Sequence, residues 1–417
     1  MRPPAPPRSA EASDLQGWSR LAFDATLGLT GVVEAMHRGV TRLPGLGPGL
    51  APDRTRGLTG LVYRSIRGVT RLAGLGVDLA LSRVGEGGAV TGERSEQREA
   101  LLAALNGVVG DHLAATDNPL AIPMRLRRDG RPLELERQAL AAALPGAGGR
   151  PLLLVHGSCL DDLSFRRGGH DLGAALARDL GLTPVSLRYN TGLHVSTNGR
   201  ALADLLEALL REWPVPVERL TIVAHSMGGL LARSACHYAA AAGQGWLGRL
   251  GDAVFLGTPH HGTPLERAGR WLEAAVGVSR YSRPLARLGK LRSAGVTDLA
   301  HGSLLDEDWV GRDRFALVQP PPRPVPLPAG VRCFTVAAAA APAAAAGGLV
   351  GAAGDRASDL VGDGLVSVQS ALGRHPDTAR DLGFPEARRF VARGVGHVEL
   401  LSSPEVYDRV KGWLSGG

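Results

Sequence analysis

Leu220-Thr-Ile-Val-Ala-His-Ser226-Met-Gly-Gly-Leu230 is the stretch that decides the fold of this chain. An apolar, β-branched run stops at a serine flanked by small residues, and a helical pattern follows directly. In so tight a turn, the side chains two residues before and after the serine must be small, and Ala224 and Gly228 meet this condition. The stretch therefore predicts a strained strand–turn–helix that holds Ser226 Oγ above a sheet, close to the N–H groups of the new helix. The competing interpretation is a serine in a glycine-rich phosphate loop.

Length and composition limit the class of protein. The chain has 417 residues, of which 44% are hydrophobic, and a formal net charge of +7. This length predicts one large domain or two modest ones, and the hydrophobic content is typical of a protein with a sizeable core. The charge comes largely from arginine, and no basic cluster interleaved with aromatic residues appears, so nucleic-acid binding is not expected. A basic surface would still favour anionic lipid.

The cysteine count and the hydropathy of the chain indicate its cellular compartment. Cys159, Cys236 and Cys333 are odd in number and lack metal-ligand spacing, so neither a disulfide framework nor a zinc site is predicted. The first residues lack the apolar core of a signal peptide, and no run reaches the roughly 18 to 20 apolar residues of a spanning helix. We expect a cytoplasmic protein, with peripheral membrane association as the alternative.

The first part of the chain contains an internal repeat. Residues 29–43 are echoed by residues 58–72, and each copy has apolar residues at helical spacing. The repeat predicts a pair of helices, continued by a third near Glu96–Leu113, in an N-terminal helical region over residues 1–115. The apolar stripes could be buried against the rest of the chain, by self-association, or at a membrane or granule surface.

Residues 116–417 are predicted to form an α/β domain. After a hairpin around Asp129-Gly130, strands and helices alternate, which predicts a mainly parallel sheet with helices on both faces. Residues 263–330 interrupt this pattern and are predicted to be a lid or cap insertion. The predicted strands are Pro151–Val155, Thr183–Tyr189, Leu220–Ala224, Ala253–Leu256, Val331–Val336 and Phe390–Ala392. The predicted helices are Gly169–Leu180, Asn198–Trp213, Met227–Ala242 and Pro404–Trp413.

A nucleophilic serine needs a histidine to take its proton and a carboxylate to orient that histidine. In such sheets the acid and then the histidine follow the serine in the chain. His397, in a loop between the last strand and the last helix, is the predicted base, and His375 is its rival. Asp363, between two glycines, is the predicted acid. Asp355 and Asp359 compete with it.

The remaining chemistry concerns the developing oxyanion. Its predicted donors are the backbone N–H groups of Met227, directly after the nucleophile, and of Ser158, in the loop after the first central strand. Cys159 is an alternative nucleophile, but it lacks a tight turn of its own. His260-His261 invites a metal interpretation, yet no third ligand lies at helical spacing, so neither a metal nor another cofactor is expected.

Five motifs occur in order: Val155-His-Gly157, Ala224-His-Ser-Met-Gly-Gly229, Gly257-Thr-Pro-His-His-Gly262, Gly362-Asp-Gly-Leu-Val366 and Gly394-Val-Gly-His397. Together they resemble the α/β-hydrolase lipases and the esterases similar to the GPI inositol-deacylase. The resemblance covers residues 120 to 417. It implies a triad of Ser226, Asp363 and His397, and oxyanion donors at Ser158 and Met227. Ala224 departs from the commonest motif, which has glycine there.

The predicted function is cleavage of carboxylic esters, lipids among them, through an acyl-enzyme. Acyl transfer to an alcohol and thioester cleavage use the same triad and stay open. A non-catalytic scaffold, with the helical repeat binding a membrane or a partner, is the alternative from another class.

Overall fold

Six of the eight strands of the main sheet are parallel neighbours, and they carry the loops in which the predicted site lies. In this computed structural model the strands of the main sheet are β1 (Arg125–Arg128), β2 (Arg131–Pro132), β3 (Pro151–Val155), β6 (Thr183–Arg188), β7 (Leu220–His225), β8 (Leu250–Leu256), β9 (Arg332–Ala339) and β10 (Arg389–Arg393). A separate two-stranded sheet is formed by β4 (Arg166–Arg167) and β5 (His170–Asp171). The strand order is β10-β9-β8-β7-β3-β6-β1-β2, and only β1 and β2 run antiparallel to their neighbours.

The helices follow the predicted alternation. They are α1 (Glu96–Ala115), α2 (Arg137–Ala143), α3 (Leu172–Leu180), α4 (Val195–Glu212), α5 (Met227–Ala242), α6 (Ala294–His301), α7 (Val368–Ala371) and α8 (Pro404–Ser415). Short 3₁₀ turns cover Asp162–Phe165, Gly245–Arg249, Asp306–Asp308, Glu386–Arg388 and Glu399–Leu401. The predicted fold class, an α/β-hydrolase fold with a mainly parallel sheet, is confirmed.

The sheet is covered on both sides, which explains why β3 is apolar at every position. In β3, Leu153 and Val155 belong to the core on the side of α4 and α5. Leu152 and Leu154 belong to the core on the side of α3 and α8. Because successive side chains of a strand point to opposite faces, a strand buried on both faces is a nearly continuous apolar run.

Strand β9 is longer than its sequence predicted. The predicted strand ends at Val336, directly before an alanine-rich stretch. The strand instead runs to Ala339 and pairs with β10, where Ala337 lies opposite Val391. All three additional alanines are buried. A low intrinsic strand preference for alanine is thus overridden by pairing and packing.

Part of the predicted lid insertion packs on the helices after β6 and β7. Ser234 Oγ in α5 donates to Leu304 O at 2.7 Å. His194, at the start of α4, lies 3.0 Å from an Asp298 carboxylate oxygen and stacks on Trp309 with 3.7 Å between ring centroids. These contacts attach residues 293–313 to the hydrolase core. Whether the insertion acts as a lid stays a prediction.

The structure describes residues 14–24, 96–263, 293–313, 319–339 and 362–416. The chain forms two compact units, residues 1–94 with 113–121 and residues 95–112 with 122–417. The repeat at 29–43 and 58–72 lies outside the described residues, so its helices and the division at residue 115 stay predictions. Among the described helices, none is both long enough and apolar enough to cross a membrane.

Candidate active site

Ser226 occupies a strained turn between β7 and α5. Its φ of 57° and ψ of −127° lie in a region that side chains other than glycine rarely adopt. The turn is held by two hydrogen bonds, from Ser226 N to Leu256 O at 2.8 Å and from Gly229 N to Ser226 O at 3.0 Å. Ser226 is fully buried, and its Oγ has no hydrogen-bond partner within the described residues. These hydrogen bonds hold the backbone of Ser226 in the strained turn.

The predicted requirement for small residues around Ser226 has a direct steric cause. A Cβ on Gly228 would lie 2.5 Å from Val155 O and 2.6 Å from His156 O, well inside contact distance. Ala224 is fully buried and lies opposite Val155 in the register of β3 and β7. The new helix can therefore start this close to the end of β3 only because residue 228 has no Cβ.

The structure brings His397 and Asp363 together in the loops after β10 and β9. His397 Nδ1 lies 2.6 Å from Asp363 Oδ2, and both side chains are almost fully buried. The other oxygen of Asp363 accepts the backbone N–H groups of Leu365 at 2.9 Å and Val366 at 2.8 Å. Burial acts to raise the pKa of Asp363, but the adjacent His397 and these hydrogen bonds outweigh it and hold the pKa below its usual value. The carboxylate is thus ionised and fixed in orientation.

The rival residues have different surroundings. His375 lies in a surface turn, where its Nδ1 accepts the N–H of Asp377 at 3.0 Å and its ring contacts His261. Asp355 and Asp359 fall outside the described residues. Only Asp363, of the three candidate acids, is therefore seen beside a histidine.

Ser158 and Met227 follow two adjacent strands. β3 and β7 pair in parallel with Val155 opposite Ala224, so the loop after β3 and the first turn of α5 start from the same edge of the sheet. Both residues are buried. In the hydrogen bonds of the described residues, neither the N–H of Ser158 nor that of Met227 serves as a donor. Two N–H groups are thus left for an acceptor that the described protein itself does not provide.

The loop after β3 approaches Ser226 so closely that only glycine fits at position 157. A Cβ there would lie 2.8 Å from Ser226 Cβ and 3.2 Å from Ser226 Oγ. We expect Gly157→Ala to lower ester turnover by about 10²-fold, because a misplacement of about 1 Å in a reacting group can cost that much. Gly412→Ala is the matched control, since a Cβ there would contact nothing within 4 Å. Initial rates on a soluble ester measure both, and unchanged turnover in Gly157→Ala would contradict this account of the loop.

His225 has a structural role that sequence reasoning missed. Its Nε2 lies 3.0 Å from His397 O, and the two rings are 4.8 Å apart. Burial lowers the pKa of His225 to about 3, so the ring is neutral and Nε2–H donates to that carbonyl. The residue before Ser226 thereby fixes the backbone of His397. Its place within the serine motif was the only signal in the sequence.

A buried ion network lies behind the loop after β3. Arg127 NH1 lies 2.8 Å from Glu99 Oε2 and 2.9 Å from Asp162 Oδ1, and Arg188 NH2 lies 3.3 Å from the same Glu99 oxygen. Asp161 completes the set at 4.0 Å from Arg188 NH1. Asp161 and Asp162 follow Ser158 closely in the chain, so the network ties this loop to β1, β6 and α1.

Glu99 is the carboxylate that the two buried arginines share, so its removal takes one ion-pair partner from each of them. We expect Glu99→Gln to lower the free energy of unfolding by about 3 kcal/mol, since breaking a buried pair from one side is costly. Burial acts to raise the pKa of Glu99, but Arg188 and Arg127 outweigh it and lower the pKa from 4.5. The stabilisation is therefore present above about pH 4.5 and is lost as the pH falls through the lowered folded-state pKa. Urea unfolding at pH 7 and at successively lower pH values below 4.5 measures this stabilisation, with exposed Glu96→Gln on the same helix as control. Equal effects of the two variants would contradict the role of the network.

Two alternative chemistries predicted from the sequence concern a cysteine and a pair of histidines. Burial raises the pKa of the Cys159 thiol to about 11, so the thiolate needed for attack is disfavoured. His260 is buried against Phe255 and Phe384, whereas His261 faces His375. Over the described residues, no group of three or more His, Cys, Asp or Glu side chains is arranged to hold a metal.

The parallel sheet and the turn between β7 and α5 define an α/β-hydrolase fold. Residues 192–323 match the family model described as the PGAP1-like alpha/beta domain. The predicted resemblance to α/β-hydrolase lipases and GPI inositol-deacylase-like esterases is thus confirmed.

Several solved structures are similar to this chain. The mature Bacillus licheniformis lipase BlEst2 is 17% identical, with 70% of this chain and 97% of that chain covered and a TM-score of 0.40. The Pyrococcus furiosus esterase Pf2001 is 12% identical, with 65% and 83% covered and a TM-score of 0.36. The Aspergillus fumigatus lipase B is 12% identical, with 66% and 56% covered and a TM-score of 0.37. No curated protein matches the chain in a sequence comparison.

Proposed function

We propose that this protein is a serine hydrolase that cleaves carboxylic esters through an acyl-enzyme. The observation that carries the proposal is the 2.6 Å contact between His397 Nδ1 and Asp363 Oδ2, in loops beside the strained turn of Ser226. Each residue type has the environment that its role requires. The serine is fixed, the carboxylate is ionised, and the histidine is oriented by that carboxylate.

The geometry supports a two-step reaction. Ser226 Oγ attacks the acyl carbon while His397 Nε2 takes the hydroxyl proton, because Asp363 keeps the proton of the neutral ring on Nδ1. The N–H groups of Ser158 and Met227 stabilise the oxyanion of the tetrahedral intermediate. His397 then protonates the departing alkoxide, which leaves as an alcohol. Water attacks the acyl-enzyme with His397 as base, and the products are a carboxylic acid and free Ser226.

The substrate is an acyl ester, with lipids included in the class. Ser226 is fully buried, so an acyl chain must pass between other parts of the protein to reach it. The insertion 263–330 is the part of the chain that we expect to set acyl length. Peripheral membrane contact through the N-terminal helices would favour a lipid substrate. It stays a separate prediction.

Activity-based labelling tests the mechanism and the substrate class together. A fluorophosphonate should label folded protein at Ser226, and peptide mass spectrometry should locate the adduct there. A series of nitrophenyl esters then gives the preferred acyl length, and added alcohols separate hydrolysis from acyl transfer. Folded protein that the probe does not modify at Ser226 would overturn the proposal and favour a non-catalytic scaffold.

A further inference from the structure

One cavity of the molecule is not lined by Ser226, Asp363 or His397. It has a volume of about 140 Å³ and is lined by parts of α5, the loop after β8, residues 302–304, residues 322–327 and residues 379–382. Its charged or titratable lining residues are Arg233, His260, His261, Arg323, Arg380 and Asp381. Three arginines thus face one aspartate, so the lining carries a formal charge of +2.

Arg233 is the unusual member of this set, because among the described contacts it is a buried cation bound only to neutral groups. The residue is 3% exposed. Its NH2 donates to Val325 O at 2.5 Å and its NH1 to His260 O at 3.4 Å. No carboxylate forms an ion pair with it in the part of the chain that the structure describes, and Arg233 Nε has no hydrogen-bond partner there. Burying an uncompensated charge is costly unless another group neutralises it.

Deprotonation does not remove the buried charge of Arg233. Burial lowers the pKa of Arg233 to about 10, so the guanidinium remains charged at neutral pH. The one carboxylate of the cavity lining is already engaged elsewhere, because Asp381 accepts the N–H groups of Gly383 at 2.8 Å and His375 at 3.2 Å. None of the described residues therefore supplies the counter-charge.

His260 adds a second unsatisfied donor. Its Nδ1 lies 3.4 Å from Arg233 NH1, which can only donate, so Nδ1 accepts and the ring proton lies on Nε2. Within the described residues His260 Nε2 is buried without an acceptor. Arg233 and His260 both line the cavity, and guanidinium and imidazole N–H groups are donors that proteins use to bind oxyanions.

We propose that this cavity binds a small oxyanion, either free phosphate or the phosphate group of a lipid headgroup, with Arg233 as its counter-charge and His260 as a neutral donor. Arg233 lies in α5, seven residues after Ser226, which corresponds to a rise of about 10 Å along the helix. The anion would therefore occupy a site separate from the reacting centre. It would stabilise the contact between α5 and the stretch 322–327, since Arg233 also binds Val325.

Thermal unfolding with inorganic phosphate, against sodium chloride at equal ionic strength, tests the proposal. Phosphate should raise the Tm of the full-length protein by about 2 °C or more, because a ligand that binds only the folded state stabilises it. Arg233→Met, which keeps the length of the side chain but not its charge, should lose this shift. Without phosphate it should unfold no earlier than the wild type, since a buried unpaired charge has been removed. Arg211→Met is the matched control, because the Arg211 side chain is 69% exposed on α4 and its loss should leave the shift intact.

Thermal shifts also test the source of the anion and whether the site is independent of Ser226. Glycerol 3-phosphate should reproduce the shift if a headgroup is the ligand, and only inorganic phosphate should act if the free ion is. Ser226→Ala should keep the shift, so that failure of the proposed esterase function would leave this inference standing. Calorimetric titration of the wild type with phosphate, with sulfate as competitor, covers the case in which Arg233→Met does not fold. A phosphate shift no larger than that of chloride, an unchanged shift in Arg233→Met, or the absence of binding heat would overturn it.

Discussion

Ser226→Ala should lower the turnover of a short nitrophenyl ester by about 10⁶-fold, the order of loss found when a triad nucleophile is removed. Alanine cannot form the acyl-enzyme, and water would have to attack the ester directly with help from the oxyanion donors alone. Residual turnover should therefore be small but above that of buffer. Initial rates under saturating substrate, with active-site titration of the wild type, measure the ratio.

The variant should keep its fold, which makes the kinetic loss interpretable. Ser226 Oγ makes no hydrogen bond within the described residues, so its removal breaks no described contact of the native state. Alanine meets the same backbone strain at a φ of 57°, and the thermal midpoint should stay close to that of the wild type. Ser415→Ala, an exposed serine near the end of α8, is the control and should retain full activity. Undiminished hydrolysis by Ser226→Ala would mean that another residue is the nucleophile.

The fold was predictable because the signals that set it are local. The apolar run of β7, the small residues around Ser226 and the helical pattern after them sit within one short stretch, and α5 begins and ends where predicted. The hairpin at Asp129-Gly130 is another local signal, since both residues have positive φ values. Element ends were less predictable. The three added alanines of β9 are held by pairing with β10, which lies about fifty residues away in the chain.

The candidate site was predictable only where a residue type implies chemistry. Serine, aspartate and histidine in the expected chain order are such a signal, and Asp363 and His397 lie in contact. The supporting contacts give no such signal. His225 binding to His397 O, and Glu99 bound to Arg127 and Arg188, join residues far apart in sequence whose types are common on protein surfaces. Arg233 is the extreme example, because its importance lies in the absence of a carboxylate near it among the described residues.

Asp363→Asn should have the second-largest effect on ester turnover, a loss of about 10⁴-fold in kcat with a nearly unchanged KM. The expected cause is the wrong tautomer of His397. The side-chain oxygen of the introduced asparagine can still accept the N–H groups of Leu365 and Val366, which fixes the amide with its NH2 group toward the histidine. His397 Nδ1 must then accept a hydrogen bond, so its proton moves to Nε2. A protonated Nε2 cannot take the proton of Ser226.

This cause can be separated from simple unfolding. The pKa of Asp363 is lowered from 3.8, so its ionised carboxylate stabilises the fold above about pH 4, and this stabilisation disappears as the pH falls through the folded-state pKa. Asp363→Asn should therefore lose stability at pH 7 and approach the wild type at acid pH, whereas its catalytic defect should persist at every temperature below its own Tm. Fluorophosphonate labelling should slow in parallel with ester turnover, because both require Nε2 to act as base. Asp408→Asn, an exposed aspartate on α8, is the control. Fast labelling of Ser226 in Asp363→Asn would mean that Asp363 is a structural residue and that another group orients His397.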